Sequence, residues 1–322
     1  MTDLSIIIVS WNAQEFLRQC LQSIYETVNN FNYEILVIDN HSSDGSPDMV
    51  KNEFPQVNLI CNCENLGFAK ANNIGIKQST GRFLCLVNSD ITFQKYCFYR
   101  MMVYMDENPE IGILGPKVLN PDQTLQHNYR KFPTHWNTLC RALALDTLSP
   151  KSRWFGSHLY SLHAIDSPCR VEVLTGCFWM VRRSALNDVG LLDESFFLYG
   201  EDVDWCKRYA KAGWGVVYFP DAVAIHFAGA SSSSAPLKNY IEGKRSSFLY
   251  WKKYHGITGL LYIYIMTIIY ELIRIFIGTV FVSIKFSEKE KFKHQINRSF
   301  RCILWLLNIP GMKLCKKDRS LH

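Results

Sequence analysis

The sequence lacks the short motifs that identify several common classes of protein. It contains neither G-x-G-x-x-G nor G-x-x-x-x-G-K-[ST], which disfavours dinucleotide oxidoreductases and P-loop nucleotide hydrolases. Its eleven cysteines form no C-x-x-C pair and are odd in number, so we expect reduced thiols rather than a zinc ribbon or a disulfide scaffold. The N-terminus has no basic segment ahead of an apolar one, and we expect no secretory signal peptide.

The composition is that of a globular protein with a basic C-terminus. Its 322 residues suffice for one large or two ordinary domains with a hydrophobic core. Hydrophobic residues make up 48% of the chain and charged residues 20%, which is typical of globular proteins. Residues 285–322 hold ten Lys/Arg and three Asp/Glu, a balance of +7, whereas the whole chain carries +6. The body is therefore nearly neutral. The basic tail indicates an anionic partner, either nucleic acid or a membrane surface.

The first ninety residues alternate between strand patterns and helix patterns. Apolar runs rich in β-branched residues predict strands at 4–10, 33–39, 57–61 and 82–87. Helical spacing of apolar residues predicts helices between them, at 16–28, 46–54 and 69–78. This alternation is typical of a doubly wound, mainly parallel α/β sheet.

The pattern is less regular after residue 88. We predict helices over Phe93–Glu107 and Glu201–Ala212, and strands over Ile111–Leu119, Val171–Val181 and Trp214–Phe219. Residues 120–168 are rich in turn-forming residues and support no prediction of elements. A polar break follows at Ser231–Ser234.

Residues 257–284 form the most apolar segment of the chain. Glu271 and Arg274 interrupt it, and their i,i+3 spacing places them on one helix face, which allows them to form an ion pair. The uncharged run from Ile257 to Tyr270 has 14 residues, fewer than the roughly 18 of a typical spanning helix. Two interpretations stay open, a pair of core helices or a membrane-embedded or interfacial hairpin.

The flanking charges favour the membrane interpretation. The lysines on either side of the segment suit anionic headgroups: Lys252, Lys253, Lys285, Lys289, Lys291 and Lys293. No base-reading module is visible in the sequence, so we do not expect nucleic acid as the partner.

Polar residues follow the predicted strands at their carboxyl ends, where open α/β sheets bind ligands. These groups are Ser10-Trp11-Asn12, Asp39 to Gly45, Asn65 to Phe68, and Asn88-Ser89-Asp90. One such group usually only makes a turn, but four together favour a binding site. Asp39 suits hydrogen bonding to a nucleobase, and Asp90 suits a hard divalent cation that bridges a pyrophosphate.

A second cluster lies at the start of the helix predicted from Glu201. Three acids, Glu201, Asp202 and Asp204, follow an aromatic run and Gly200. Capping of the helix explains one acid, whereas three indicate a general base beside a pocket that binds rings. His226 follows an apolar strand and is either a metal ligand or a core histidine.

Taken together, these motifs resemble a known family. The chain carries, in this order, S-W-N at 10–12, V-I-D-N-H-S-S-D-G-S at 37–46, N-L-G-F-A-K-A-N-N at 65–73, N-S-D at 88–90, L-T-G-C-F at 174–178 and G-E-D-V-D-W at 200–205. The ordered set resembles the inverting glycosyltransferases of family 2, and within them the bacterial rhamnosyltransferase-like members. The resemblance covers residues 4–230. It implies a GT-A fold, a dTDP-, UDP- or GDP-sugar donor, and Mg²⁺ or Mn²⁺.

The resemblance also implies roles for individual residues. Asp202 would be the catalytic base, with Glu201 beside it shaping the acceptor site, and Asp90 and His226 would hold the metal. Nucleotide and donor-sugar binding would fall to Ser10, Asn12, Asp39, Asn65, Gly67, Asn72, Asn88, Thr175 and Gly176. The family's usual D-x-D is Asn88-Ser89-Asp90 here, so the first carboxylate is missing.

These expectations define a membrane-associated enzyme. Residues 1–230 would form the catalytic domain, 231–256 a connecting helix or linker, and 257–322 a membrane-associated hydrophobic helical segment with a basic tail. The enzyme would work on the cytoplasmic face of the inner membrane, peripheral or shallowly inserted, on a saccharide or lipid-linked saccharide acceptor. The alternatives are an inactive nucleotide-sugar-binding relative, suggested by Asn88, and a membrane-associated scaffold. The intact Glu201-Asp202 pair argues against both.

Overall fold

The computed structural model describes residues 2–28, 31–156, 166–227, 236–284 and 289–307. The chain packs into two units. The first combines Met1–Phe132 with Leu162–Pro236, and the second combines Pro133–Ser161 with Leu237–His322. Each unit is therefore built from two stretches that are distant in sequence. The predicted division into three functional parts stays a prediction.

The first unit begins with four parallel strands and three helices. They are β1 Leu4–Ser10, α1 Gln14–Thr27, β2 Tyr33–Asp39, α2 Ser46–Glu53, β3 Asn58–Cys61, α3 Phe68–Gln78 and β4 Phe83–Asn88. The strands lie in the order β3-β2-β1-β4, and each neighbouring pair is parallel. β1 and β4 are buried along almost their whole length, as parallel strands covered on both faces must be.

The sheet becomes mixed beyond β4. The following elements are β5 Ile91–Phe93, α4 Cys97–Glu107, β6 Ile111–Leu119, β7 Leu125–Gln126, β8 Tyr129–Arg130, α5 His135–Ala142 and α6 Leu145–Leu148 (both in the second unit), β9 Cys169–Arg170, β10 Val173–Leu174, β11 Phe178–Arg182, α7 Arg183–Val189, α8 Glu201–Lys211 and β12 Gly215–His226. The full order is β3-β2-β1-β4-β11-β6-β12-β5, with β7 on β6, β9 on β12, and β8 paired with β10. β11 is antiparallel to both β4 and β6. The predicted α/β fold class is confirmed: β1 to β4 form one parallel part of the sheet, and β6 and β12 form a further parallel pair.

Three predicted boundaries were wrong for physical reasons. The helix predicted from Phe93 begins at Cys97, because Phe93 ends β5 and pairs with β12. The strand predicted over Val171–Val181 is divided at residues 175–177 into β10 and β11, which pair with different strands. The strand predicted to end at Phe219 continues to His226 through a register shift. That extension carries His226 to the end of the sheet that holds the candidate site.

Aromatic packing fixes α8 against the sheet. Trp205 and Tyr209 of α8 are fully buried, and the Trp205 ring lies 5.4 Å from that of Trp179 on β11. Trp205 also donates from Nε1 to the carbonyl of Gly190, at 2.9 Å. Because α8 is held by these contacts, the three acids of its first turn have a defined position in the unit.

The second unit is helical. Besides α5 and α6 it contains α9 Pro236–Ile284 and α10 Lys289–Leu307. α9 is interrupted at Gly256, whose φ of 63° and ψ of −154° are non-helical. The two limbs on either side fold back on each other, since the rings of Trp251 and Tyr262 lie 5.2 Å apart.

This arrangement corrects two expectations for the apolar segment. Residues 257–284 form one continuous helical limb rather than a hairpin, because the turn lies at Gly256 and the partner limb is 236–255. The ion pair that the spacing of Glu271 and Arg274 allows does not form either. Glu271 is fully buried and pairs with Lys244 of the facing limb at 3.1 Å, while Arg274 donates to Tyr270 Oη.

Candidate active site

Three of the residues predicted to bind the nucleotide-sugar donor lie at the same edge of the sheet, because the strands that carry them end at the same level. Ser10 at the end of β1 pairs with Asp39 at the end of β2, and Val9 pairs with Asn88 at the end of β4. Asn88 N–H donates to the carbonyl of Cys177, which brings the 175–177 segment to the same edge. The sheet therefore gathers residues separated by more than 160 positions in sequence.

Two of these residues carry buried polar atoms without a partner. Asp39 is 2% exposed, and its Oδ2 accepts from Ser42 N–H at 2.9 Å. In the part of the chain that the structure describes, Asp39 Oδ1 and the hydroxyl of the fully buried Ser10 have no hydrogen-bond partner. Buried polar groups are seldom left unsatisfied, so both atoms indicate a polar ligand at this edge.

The predicted Asn65–Gly67 loop is held by a side chain that the sequence analysis did not single out. Asn40 donates from Nδ2 to Asn65 Oδ1 at 2.9 Å and to Gly67 O at 3.2 Å. Gly67 has φ of 78° and ψ of −178°, and a Cβ there would lie 2.3 Å from the carbonyl oxygen of Phe197. Phe68 N–H donates to that same oxygen at 2.7 Å. The loop thus contacts the segment that leads to the acids of α8.

Asn12 and Asn72 lie in different settings from the residues at the sheet edge. Asn12 is exposed, and its Oδ1 accepts from Ser43 N–H at 2.8 Å, so it shapes the loop beside Asp39. Asn72 is buried in α3 and donates to Phe68 O at 3.0 Å. Its Oδ1 has no partner among the residues that the structure describes.

Asp90 and His226 are brought together by the antiparallel pairing of β5 with β12. His226 pairs with Ile91, and Phe227 N–H donates to the carbonyl of Asp90 at 2.9 Å. Asp90 Oδ1 lies 3.1 Å from His226 Nε2. On the other side of the ring, His226 Nδ1 lies 2.7 Å from Gln126 Oε1. When Nδ1 carries the proton and donates it to Gln126 Oε1, Nε2 has a free lone pair. A neutral imidazole with a free lone pair is the form of histidine that binds metal ions.

These two side chains fit a divalent cation. Two neighbouring ligands of an octahedral ion with bonds of about 2.1 Å are about 3 Å apart, which is the separation found between Asp90 and His226. Within the described ranges, no group of three or more His, Cys, Asp or Glu side chains could hold a metal. The described residues therefore offer two candidate ligands, Asp90 and His226, and a bound cation would need further oxygen ligands, which Mg²⁺ commonly takes from phosphates and water.

The acids of α8 divide into a structural one and a buried pair. Asp204 is fully buried and pairs with Arg208 at 2.9 Å. Glu201 and Asp202 are each 5% exposed, and the N-cap of α8 is Gly200 with no side-chain cap. Capping therefore does not explain the buried pair.

Asp202 is held by a residue from the segment that the sequence analysis left unassigned. Arg130 of β8 lies 2.5 Å from Asp202 Oδ2 through Nη2, and its Nη1 donates to Thr175 Oγ1 at 3.0 Å. Asp202 Oδ1 accepts from Val203 N–H at 2.8 Å. Gly176, next to Thr175, packs against the Trp179 ring, where a Cβ would lie 3.2 Å from the nearest ring atom. The predicted donor-sugar segment and the predicted base are thus joined through Arg130.

Glu201 differs in charge from its neighbour. Burial, and then the negative charge of Asp202, raise the pKa of Glu201 to about 8. At neutral pH Glu201 is therefore mainly protonated and uncharged. Its Oε2 finds no partner within the described part of the chain, so it is free to meet a bound ligand.

Arg130, Gln126 and Asn40 are the site residues that sequence reasoning missed. Arg130 and Gln126 lie on two-residue strands, which are too short for any periodicity to be seen. Asn40 stands inside the V-I-D-N motif, and its position next to Asp39 was the available signal.

Comparison with known proteins agrees with this geometry. The family model described as Glycosyl transferase family 2 matches residues 5–190. The chain is similar to N-acetylglucosaminyl-diphospho-decaprenol L-rhamnosyltransferase of Mycobacterium tuberculosis, at 28% identity over 80% of this chain and 86% of that protein. It is similar to dTDP-rhamnosyl transferase RfbF of Shigella flexneri, at 24% identity over 77% of this chain and 80% of that protein.

The fold has relatives among solved structures. A mannosyltransferase from Pyrobaculum calidifontis, solved with GDP-Man and Mn²⁺, matches with a TM-score of 0.55 and 13% identity, over 95% of this chain and 87% of that one. At this identity the match concerns the fold. It supports the GT-A architecture that the resemblance implied.

The raised pKa of Glu201 predicts a pH-dependent stability. The folded protein holds this proton up to about pH 8, whereas the unfolded chain releases it at about pH 4.3, so stability falls as pH rises through that window. Each pH unit between the two pKa values changes the free energy of unfolding by about 1.4 kcal/mol, which gives a total loss of a few kcal/mol. We expect Glu201→Gln, which resembles the protonated acid, to abolish this loss.

Urea unfolding between pH 5 and 9 measures the effect. The exposed Glu107→Gln is the control and should follow the wild type across the whole range. If Glu201→Gln loses stability with the same slope as the wild type, the raised pKa is not that of Glu201.

Proposed function

Because the chain belongs to glycosyltransferase family 2, we propose that it transfers a hexose from a nucleoside diphosphate donor to a saccharide hydroxyl, with inversion at the anomeric carbon. The observation that carries this proposal is the Thr175–Arg130–Asp202 contact, which connects the predicted sugar-binding segment to a buried carboxylate. The names of the two bacterial relatives suggest rhamnose as the sugar.

The donor would bind along the carboxyl edge of the sheet. The free acceptor atom of Asp39 and the Ser10 hydroxyl suit the N–H and carbonyl groups of a nucleobase. The Asn65–Gly67 loop and Asn88 would line the nucleotide, and Thr175 and Gly176 the sugar. A thymidine nucleotide is the first choice, because the Shigella relative is named for dTDP-rhamnose, with UDP- and GDP-sugars to be tested beside it.

Asp90 and His226 would hold the divalent cation, and Gln126 would orient the histidine. When bound, Mg²⁺ or Mn²⁺ supplies positive charge against the charge that develops on the departing diphosphate. Asn88 offers no carboxylate at this point, so Asp90 is the one motif acid available to the metal.

Asp202 would act as the general base. Its carboxylate takes the proton from the acceptor hydroxyl, and that oxygen attacks the anomeric carbon from the face opposite the leaving diphosphate. The new C–O bond forms as the bond to the diphosphate breaks, which inverts the configuration. Protonated Glu201 would donate a hydrogen bond to the acceptor sugar and hold it beside the base.

Substitution of Asp202 tests the proposal directly. The purified protein is incubated with Mn²⁺, an acceptor saccharide and a panel of dTDP-, UDP- and GDP-sugars, and release of nucleoside diphosphate is recorded. We expect Asp202→Asn to lower turnover about 10²- to 10⁴-fold, because proton removal is lost while the shape is kept, with donor affinity unchanged. The exposed Asp221→Asn controls for loss of an acidic group. Near-normal turnover in Asp202→Asn would remove this residue from the mechanism.

The metal assignment has its own test. Calorimetric titration with nucleoside diphosphate, with and without Mn²⁺, should show tighter binding with the metal in the wild type. In Asp90→Ala that gain should disappear, since a charged ligand is lost, and in His226→Ala it should shrink. The exposed His127→Ala serves as the matched control for the imidazole. An undiminished gain in Asp90→Ala would contradict the assignment.

The helical unit would bring the enzyme to a membrane surface. Exposed apolar side chains recur along one limb of α9 and on α10: Ile257, Leu261, Ile265, Leu272, Phe276 and Val280, with Phe300, Leu304 and Leu307. α9 is long and apolar enough to cross a membrane, and its most apolar window is 22% buried. A core helix would be mostly buried, so this exposure favours contact with lipid.

Exposed lysines lie on the same two helices as these apolar side chains. Lys252 and Lys253 are exposed on α9, as are Lys291 and Lys293 on α10, while Lys285 lies outside the described residues. Together with the apolar stripe they suit the anionic cytoplasmic leaflet of the inner membrane. The mycobacterial relative is named for a decaprenol-linked substrate, so we propose a lipid-linked saccharide acceptor and a role in O-antigen, capsule or exopolysaccharide assembly.

Flotation with liposomes tests the membrane surface. The full-length protein should float with anionic vesicles, and high salt should weaken the binding without abolishing it, because screening affects the lysines but not the apolar contact. Leu272→Glu combined with Phe276→Glu should reduce flotation strongly. Tyr99→Glu, which changes an exposed aromatic residue of α4, is the control. A wild-type protein that stays in the soluble fraction would refute membrane placement.

A further inference from the structure

Arg130 occupies a position that joins two parts of the site. It lies on β8, in register with Val173 of β10, and its guanidinium reaches Thr175 Oγ1 at 3.0 Å and Asp202 Oδ2 at 2.5 Å. The side chain is 38% exposed, whereas that of Asp202 is 7% exposed. A partly exposed arginine thus contacts the buried carboxylate of Asp202.

The thiols and the phenol that lie near the acid pair are neutral near pH 7. The groups that face the acid pair from the surrounding elements are Arg130 on β8, Cys177 after β10, Tyr199 before α8, and Glu201 and Cys206 on α8. Burial raises the pKa of both thiols to about 12 and also raises the pKa of Tyr199. The charges that act on Glu201 are therefore those of Asp202 and Arg130.

We propose that Arg130 is a positioning residue for the transfer reaction, which supplies the counter-charge of the Asp202 carboxylate and aims it toward the sugar held at Thr175. The proposal rests on the proposed function, in which Asp202 is the base. Two adjacent carboxyl groups in a buried site favour sharing one negative charge. Arg130 pairs with one oxygen of Asp202, whereas Glu201 has no such partner and its pKa is raised by burial and then by the charge of Asp202.

The shape of the guanidinium matters as well as its charge. Its two terminal nitrogens point to two different partners in a rigid, planar fork, and this fixes the distance between Asp202 and Thr175. An ammonium group on a flexible stem provides the charge but cannot hold both partners in the same geometry. Charge and shape are thus separable by substitution.

The test compares Arg130→Met, Arg130→Lys and the wild type, with the exposed Arg170→Met as the matched control. In Arg130→Met the acidic limb of the kcat/KM profile should move to higher pH by about one pH unit, because the acid pair has lost its counter-charge. We expect kcat to fall about 10- to 100-fold and donor affinity by calorimetry to change little. In Arg130→Lys the acidic limb of the kcat/KM profile should return to its wild-type pH, because the positive charge is kept. The kcat of this variant should recover only in part, because the planar fork is lost.

Two outcomes would overturn the proposal. If the acidic limb of the kcat/KM profile of Arg130→Met coincides with that of the wild type, Arg130 does not act as the counter-charge of the base. If donor affinity falls as much as kcat, Arg130 binds the donor instead of positioning Asp202.

A second measurement separates this proposal from the proposed function. Urea unfolding between pH 6 and 8.5 needs no substrate, and the free energy of unfolding should fall more steeply with pH in Arg130→Met than in the wild type or Arg170→Met. If the wild type turns over no donor but this difference is found, the glycosyl transfer has failed while the charge arrangement stands. If the slopes are equal, the charge arrangement is refuted whatever the enzyme transfers.

Discussion

The candidate site depends on the two different pairings of β4. On one side β4 is parallel to β1, and on the other it is antiparallel to β11. The carboxyl ends of the first strands therefore meet the amino end of β11 at one edge of the sheet. Asn88 is hydrogen-bonded to Cys177 at this junction, and the segments proposed to contact nucleotide, sugar and acceptor converge on it. A uniformly parallel sheet would place a carboxyl end there instead, and the 175–177 segment would lie elsewhere.

The burial of the acids at the start of α8 determines how their charges are compensated. Placing two adjacent acids where both are 5% exposed carries a free-energy cost that the fold meets in two ways, by protonation of Glu201 and by pairing of Asp202 with Arg130. Asp204, two positions farther along, has its own partner in Arg208. Of the three acids in this helical turn, one is therefore protonated near neutral pH and two are paired with arginines, and the protonated Glu201 stands next to the carboxylate of Asp202.

The sequence was most informative where local patterns decide the structure. The parallel strands were predictable because runs such as Leu4–Ser10 are mainly apolar and rich in β-branched residues, and the positions of Asp39 and Asn88 follow from where those runs end. Arg130 was not predictable, because its role comes from a two-residue strand and a partner 72 positions away. The reversal of α9 was missed for a related reason: Gly256 lies inside a continuous helical pattern, and only a φ of 63° shows that the chain turns there.

The close approach at Gly67 has a consequence for how the enzyme can be altered. The backbone of the Asn65–Gly67 loop and the carbonyl of Phe197 are in direct contact, with no room for a side chain between them. The loop proposed to line the nucleotide and the loop that leads to the acids of α8 are therefore held together as a single body. Remodelling residues 196–200 would therefore displace the Asn65–Gly67 loop as well, so the segments proposed to contact the donor and the acceptor cannot be altered independently of each other.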